Sequence, residues 1–193
     1  MFTNIIKSGI NTFLKYSFEK IEKIKIDILI KDKNFKGIIN KLIIDAEQVI
    51  FNKIYVNKLK VIVYDISIKE FFSNRKFSLN KLYFNINLEL NKYNLNLILD
   101  NKKWSKIKNE IEFFISDKFG FNDVDIKNGY LYISSNSEKE FKKRYLLKSD
   151  NNNILLIDSE RNKKLIIPMD PNLILKELIV CEEHIKISLF SNV

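Results

Sequence analysis

Alternation of apolar and polar residues with a period of two constrains the fold of this chain more than any other feature. Isoleucine occupies every second position from 24 to 30, with Lys25 and Asp27 between. The same spacing recurs over 82–90, where the intervening positions are polar. Successive side chains of a β-strand point to opposite faces, so this spacing predicts strands with one apolar and one polar face.

Turn residues separate further segments of this kind. Asn128-Gly129 is the strongest hairpin signal, because a type I′ turn needs positive φ at both central residues. Residues 71–79 read as a connecting segment, and Asn91-Lys92 as a turn before a strand with alternating Leu95, Leu97 and Leu99. The remaining strand-like runs lie at 38–50, 53–69, 141–148, 154–158, 164–167, 173–181 and 185–190.

A period of 3.6 residues predicts only two helices. The first is an N-terminal amphipathic helix over 1–22. The second runs from about 101 to 118, with Asp100 as its N-cap and Gly120 at its C-terminal cap. Its apolar stripe consists of Trp104, Ile107, Ile111, Phe114 and Ile115.

Two helices are too few to provide the crossovers of a parallel sheet, so we predict an antiparallel one. The chain has 193 residues, 46% of them hydrophobic, enough to bury a core without metal or disulfide. The predicted fold is a single α+β domain over 1–193, mostly β. In it, a long curved antiparallel sheet over 23–193 wraps around one or two amphipathic helices.

The residue types present exclude many chemistries. The chain has one cysteine, Cys181, and one histidine, His184, so it has no internal disulfide and no two-histidine site. We interpret Cys181 as a small buried hydrophobe and His184 as a loop residue. Asp123 and Asp125 provide too few ligands for a cation, and no phosphate-binding glycine loop occurs. We therefore predict a protein that is not an enzyme and needs no metal or cofactor.

The formal net charge of +9 is compatible with an anionic partner. The chain is also rich in residues with AT-rich codons, and such a codon bias makes a basic chain without any anionic partner. The densest basic clusters are a solvated face, a nucleic-acid contact or a lipid-headgroup contact. These headgroup candidates are Lys102, Lys103, Lys142, Lys143 and Arg144.

The N-terminal helix offers a second possible contact with an anionic membrane. Its candidate residues are Phe2, Ile6, Lys7, Phe13 and Lys15. The alternative is that its apolar side chains pack on the sheet. No run approaches the roughly 18 apolar residues of a membrane span, and the first residues lack the pattern of a signal peptide. We expect a cytoplasmic protein, peripheral on the inner face of a membrane if it binds one.

Three stretches of the chain resemble a known family. The first is IIDAEQVIFNKIYVNKLKV, with Ala46 and the preceding Gly37. The second is LNLILDNKKWSKIKNEIEFFISDKFG at 95–120, and the third is LIIPMDPNLILKELIVCEEHIKISLF at 165–190. Their order and spacing resemble the LmeA-like phospholipid-binding proteins. The resemblance implies a fold akin to tubular lipid-binding proteins, with an apolar groove for lipid chains and no catalytic residues.

The predicted function is therefore lipid binding, with phospholipid acyl chains taken into an apolar groove lined by the stripe of the 101–118 helix. Lipid transfer or membrane association would accompany it. The alternative is a basic β-rich module that binds nucleic acid, and a structural factor without ligand is a third possibility. A groove beside the helix favours lipid, whereas a basic sheet with exposed aromatic residues favours nucleic acid.

Overall fold

The computed structural model describes residues 2–30, 38–67, 83–115, 120–135 and 141–191. These residues form two antiparallel sheets and three helices, and most of them lie in strands. The predicted mostly-β, antiparallel class is therefore confirmed. The expected connecting segment at 71–79 lies outside the described residues.

The first sheet has six strands, and its last two come from the end of the described chain. Its strands are β1 (Lys23–Leu29), β2 (Ile38–Phe51), β3 (Ile54–Ser67), β4 (Phe84–Asn91), β10 (Leu173–Val180) and β11 (His184–Ser191). Their order is β1-β2-β3-β4-β11-β10. The pairing of β4 with β11 sets Leu88 opposite Ile187. The closing hairpin thereby completes a sheet that the first half of the chain began.

The second sheet is a five-stranded meander, β5-β6-β7-β8-β9, in which each strand pairs with its neighbours along the chain. Its strands are β5 (Phe121–Lys127), β6 (Tyr130–Ser135), β7 (Phe141–Asp150), β8 (Asn153–Asp158) and β9 (Lys163–Ile167). The strands thus form two sheets where the sequence predicted one. Turns at 128–129, 151–152 and 159–162 let neighbouring strands pair locally, so these strands form a sheet of their own.

The first helix, α1 (Phe2–Ser17), confirms the predicted N-terminal amphipathic helix, but it ends at Ser17 and not at residue 22, as predicted. Lys20 instead forms an isolated β-bridge with Ile50 of the first sheet. Ile6, Ile10 and Leu14 lie on one side of α1 and are buried in a cluster with strands of the first sheet. Their spacing of four residues places them on one face of a helix, which explains why α1 packs there.

The predicted strand with Leu95, Leu97 and Leu99 is wrong, because these residues belong to a helix, α2 (Lys92–Asp100). Asn91 is its N-cap rather than part of a turn. The Asn94 N–H donates to the side-chain oxygen of Asn91, and the Asn91 N–H donates to that of Asn94, each at 2.9 Å. This reciprocal capping stabilises the first helical turn. Leu95 and Leu99 are four residues apart, so their spacing suits a helix as well as a strand.

The start of the second predicted helix also differs from the prediction. Asp100 ends α2 instead of capping a new helix. Asn101 caps a short 3₁₀ turn (Lys102–Trp104) by accepting the Lys103 N–H at 3.0 Å. The helix itself, α3 (Ser105–Ile115), begins after this turn. The predicted end of this helix at 116–118 lies outside the described residues.

The hairpin turn at Asn128-Gly129 is confirmed, with φ of 51° and 78°. The same left-handed pair occurs at Asn151-Asn152, with φ of 46° and 64°, between β7 and β8. Asparagine tolerates this conformation better than most residues, which suits an asparagine-rich chain with few glycines.

Two asparagine side chains, one on α2 and one in the β7–β8 turn, bind the backbone of edge strands. Asn96 on α2 donates to the Val124 carbonyl at 2.8 Å and accepts the Val124 N–H at 2.9 Å. Asn152 donates to the Leu173 carbonyl at 2.8 Å and accepts the Leu175 N–H. The two amides satisfy backbone groups of β5 and β10, which are edge strands.

Candidate ligand groove beside the third helix

A groove of about 710 Å³ lies between α3 and β9, the edge strand of the second sheet. It exists because α3 covers the inner face of this sheet and leaves a gap along the edge. The residues lining it are Lys106, Asn109, Glu110, Phe113 and Phe114 from the helix and Lys163, Lys164 and Leu165 from the strand.

The apolar part of the groove combines buried and exposed side chains. Leu165 and Phe114 pack against the core cluster of the second sheet. The ring of Phe114 lies 5.8 Å from that of Tyr145, measured between centroids. Phe113 is different, because it is 77% exposed. Its ring is therefore available to a molecule in the groove.

The charged part of the groove is dominated by lysine. Lys106, Lys163 and Lys164 face one lining carboxylate, Glu110. Within the described residues, none of the three lysines forms an ion pair. Positive charge in the groove is therefore poorly compensated by the protein, which favours a ligand with a negative group.

A second cavity of about 690 Å³ crosses the polar face of the first sheet. Most of its charged side chains form ion pairs. Lys23 pairs with Glu47 at 2.5 Å, and Lys58 pairs with Glu89 at 3.1 Å. The neighbouring Asp45 pairs with Lys60 at 3.5 Å. Because its charges are largely paired, this cavity offers a ligand less than the groove beside α3.

A buried ion pair lies in the second sheet. Its lysine, Lys143, is two residues before Tyr145 on β7, and the Tyr145 ring contacts Phe114 of the groove. The Lys143 ammonium contacts the Asp158 carboxylate at 2.7 Å, and both side chains are buried. Burial would raise the pKa of Asp158, but hydrogen bonds from Lys143 and from backbone N–H groups hold the pKa below its ordinary value. Burial and the charge of Asp158 raise the pKa of Tyr145 to about 12. The Tyr145 hydroxyl has no hydrogen-bond partner among the described residues.

The five predicted groove residues divide between the core and the groove. Ile111 and Ile115 are buried in the core, and Ile107 packs against the same cluster. Trp104 lies in the 3₁₀ turn, and the Lys103 ammonium stands 5.9 Å from its ring centroid. Phe114 alone of the five lines the groove beside α3.

The predicted membrane-contact residues lie on α1, which Phe2 begins. Ile6 is buried, and Phe13 packs against the same cluster beside the first sheet. Lys7 approaches Asp27 of β1 at 3.8 Å, whereas Lys15 is exposed. The structure therefore turns Ile6 and Phe13 toward the protein, the alternative that the sequence left open.

The predicted basic residues do not form one surface. Lys102 is exposed, and Lys103 donates to Asn52. Lys143 is buried in its ion pair, so its ammonium is withdrawn from solvent. The other two residues stand over aromatic rings on the outer face of the second sheet. Lys142 lies 5.6 Å from the Tyr132 centroid, and Arg144 lies 4.6 Å from that of Tyr130.

The cysteine and the histidine meet only through the backbone. The Cys181 N–H donates to the His184 carbonyl at 2.8 Å across the β10–β11 turn. His184 begins β11, so its predicted position in a loop is wrong. Both side chains are half-buried, so Cys181 is less buried than predicted. Among the described residues, no group of three or more His, Cys, Asp or Glu side chains is arranged to hold a metal.

Sequence reasoning missed Phe113, Lys106, Lys163 and Lys164. Phe113 lies outside the apolar stripe of its helix, and this off-stripe aromatic residue was the available signal. The pair Lys163-Lys164 is as dense as Lys102-Lys103, but it begins a predicted strand. Nothing in the sequence placed that strand beside α3.

A scan against models of protein families, a search of curated proteins and a search of solved structures each give no match to this chain. Among the described residues, no helix is long and apolar enough to cross a membrane.

Proposed function

We propose that this protein is a non-enzymatic lipid-binding protein that holds an acyl chain in the groove between α3 and β9. The single observation that carries the proposal is the groove itself, where an exposed phenylalanine, Phe113, lies beside lysines that form no ion pair within the described part of the chain. Its volume of about 710 Å³ falls within the range of small-molecule sites.

The chemistry of the lining favours an amphiphile with a negative headgroup. An acyl chain covers Phe113 and Leu165 and removes their apolar surface from water. The phosphate or carboxylate of such a ligand pairs with Lys163, Lys164 or Lys106. A purely apolar ligand would leave the positive charge of these lysines uncompensated. This ligand class agrees with the resemblance to LmeA-like proteins. That resemblance, a sheet wrapped in the tubular lipid-binding manner and a cytoplasmic location remain predictions.

A binding titration with the fluorescent fatty acid cis-parinaric acid, kept below its micelle concentration, tests the proposal. We expect saturable binding by the full chain. Asn109→Trp places a large ring in the groove and should weaken binding at least about tenfold, or about 1.4 kcal/mol. The control is Asn4→Trp, an exposed asparagine on α1, which should bind like the wild type.

The proposal is wrong if the wild type does not bind the fatty acid, or if Asn109→Trp binds it as tightly as Asn4→Trp does. Native mass spectrometry of the purified protein provides an independent measurement, since a bound lipid adds its own mass. Phe113→Ser should reduce the occupancy of that lipid, and Tyr16→Ser, at another exposed aromatic residue of a helix, should not.

A second candidate function is binding of single-stranded nucleic acid. It is favoured by the outer face of β6 and β7, where Arg144 stands over Tyr130 and Lys142 over Tyr132. Aromatic rings beside cations stack on bases and contact phosphates. Lys142 is already held by Asp125 at 2.8 Å, which weakens this candidate. Anisotropy of a labelled oligothymidine at low salt tests it, and Tyr130→Ala with Tyr132→Ala should then abolish binding.

A further inference from the structure

The α3–β9 groove and its neighbourhood expose apolar side chains next to lysines for which the described residues provide no ion pair. Ile166 follows Leu165 in β9 and is 58% exposed. Because side chains alternate along a strand, Leu165 faces the core while Lys164 and Ile166 lie on the opposite face. Phe113, 77% exposed, stands across the groove on α3. Phe113 thus exposes a large apolar side chain in the groove itself, and Ile166 exposes a second one on the outer face of the strand that forms the other wall.

Positive charge surrounds the mouth of this groove. Lys106, Lys163 and Lys164 line it with Glu110, and the protein pairs none of these lysines with a carboxylate among the described residues. On the polar face of the first sheet, by contrast, Lys23 pairs with Glu47 and Lys58 pairs with Glu89. The groove mouth therefore combines apolar exposure with uncompensated positive charge.

We propose that the rim of this groove, formed by Phe113, Ile166 and the three groove lysines, docks on an anionic lipid bilayer. The apolar side chains enter the boundary between headgroups and acyl chains, and the lysines contact anionic headgroups. Docking here would bring the groove mouth to the source of its ligand. This last step rests on the proposed lipid-binding function, whereas docking itself does not.

The bilayer is favoured over a protein partner by the composition of the rim. Two separate apolar side chains beside flexible lysines suit a fluid anionic surface. Protein-binding sites are instead usually depleted in lysine. The docking surface also differs from the one expected on α1, where Ile6 is buried against the first sheet.

Flotation of the full chain with vesicles tests the docking surface. The vesicles contain phosphatidylcholine with or without phosphatidylglycerol. We expect the wild type to float with the anionic vesicles, and added salt to release it. Ile166→Asp should weaken this binding about tenfold or more. Ile174→Asp is the matched control, since Ile174 is 46% exposed on β10, another edge strand.

The docking proposal is overturned if Ile166→Asp floats as well as Ile174→Asp, or if the wild type binds neutral and anionic vesicles equally. The milder Ile166→Ser replaces Ile166→Asp if the latter melts below the wild type. Binding of monomeric cis-parinaric acid separates the two proposals, because Ile166 does not line the groove. Loss of vesicle binding with intact fatty-acid binding in Ile166→Asp supports docking. Vesicle binding by a wild type that takes up no fatty acid would leave docking standing and remove the groove function.

Discussion

At the scale of single residues, Lys143 and Asp158 form an ion pair in which both side chains are buried. The two charges lie 2.7 Å apart and out of contact with water. Asp158 also accepts the backbone N–H groups of Glu160 and Arg161, each at 3.1 Å, so the same carboxylate holds the β8–β9 turn. Removing one member of such a pair costs more than removing both, since the remaining charge is buried alone.

We predict that Lys143→Met destabilises the protein by about 3–5 kcal/mol. It removes the cation that contacts the buried Asp158 carboxylate at 2.7 Å and leaves only the half-exposed Arg161, whose Nε lies 3.8 Å away. The double variant Lys143→Met with Asp158→Asn should recover most of this loss, since the asparagine is neutral and keeps an acceptor for the turn. Urea denaturation measures both. Lys23→Met, at an exposed pair, is the control and should change little. Equal losses in the single and double variants would contradict the prediction.

The same pair should make stability depend on pH. Its partners hold the folded-state pKa of Asp158 below the ordinary value of about 4. A carboxyl with a lowered folded pKa stabilises the protein above its unfolded pKa, and this contribution is lost as the pH falls through the folded pKa. The stability difference between wild type and Asp158→Asn should therefore be largest near neutral pH and shrink below about pH 4. Thermal melts from pH 7 to pH 3 measure this difference, and a constant difference would contradict the expectation.

At the scale of elements, each helix depends on a different surface. The apolar face of α1 packs against the first sheet, α2 lies between the sheets, and α3 covers the second sheet. The face of α1 is narrow. Ile10 is almost fully buried, whereas Ile5, on the same helix, is exposed. A helix with one buried face is held by tertiary packing more than by its own propensity.

We predict that Ile10→Ala destabilises the protein by about 2–5 kcal/mol, because it removes buried methyl groups and leaves a cavity. Ile5→Ala, at an exposed position, should change the melting temperature little. Deleting residues 1–20 should then cause unfolding or aggregation, since it exposes the apolar cluster of the first sheet. A truncated protein that melts like the full chain would show that α1 is dispensable for the fold.

Helix α2 shows how local capping can favour a helix where the residue pattern fits both a helix and a strand. Leu95, Leu97 and Leu99 alternate, but Leu95 and Leu99 also fall on one helical face. The reciprocal bonds of Asn91 and Asn94 start a helix, and a short apolar run does not distinguish helix from strand by periodicity alone. The mutual geometry of two asparagines was not visible in the sequence.

At the scale of the whole molecule, the two sheets are joined by apolar packing and by the two asparagine amides. Ile185 of β11 is buried in the cluster that also contains strands of the second sheet. Asn96 and Asn152 each bond two backbone groups of an edge strand, as another strand would. These amides both connect the sheets and block the edges against further strand pairing.

We predict that Asn96→Ala destabilises the protein by about 1–3 kcal/mol, because backbone groups of β5 lose their partners. Adding Asn152→Ala should lower stability further and promote aggregation through the newly unpaired edges. Denaturation and light scattering measure the two effects. The control is Asn109→Ala, at an exposed site on α3. Wild-type stability in the double variant would show that the amides are not structural.

The division of the strands between two sheets could not be predicted from the sequence, because it depends on pairing between strands that are far apart in the chain. The strands predicted from alternation and turn signals, among them β1, β8 and β9, recur with bounds within a residue or two. Their division between two sheets depends on which strand pairs with which, as when β4 meets β11 at Leu88 and Ile187. Strand partners depend on the packing of the whole molecule, and the periodicity of a single segment does not indicate which strand it will pair with.

The sequence by itself determined the β-rich antiparallel class, the N-terminal helix and the turn at Asn128-Gly129, because these depend on residues that are neighbours in the chain. Only the tertiary structure decided the groove, since Phe113 and Lys163 are fifty residues apart in the chain and meet only when α3 covers the second sheet. It also decided that Lys143 is buried and Ile166 exposed. Burial is a property of the packed molecule, and the same residue type can satisfy either environment if its partners allow it.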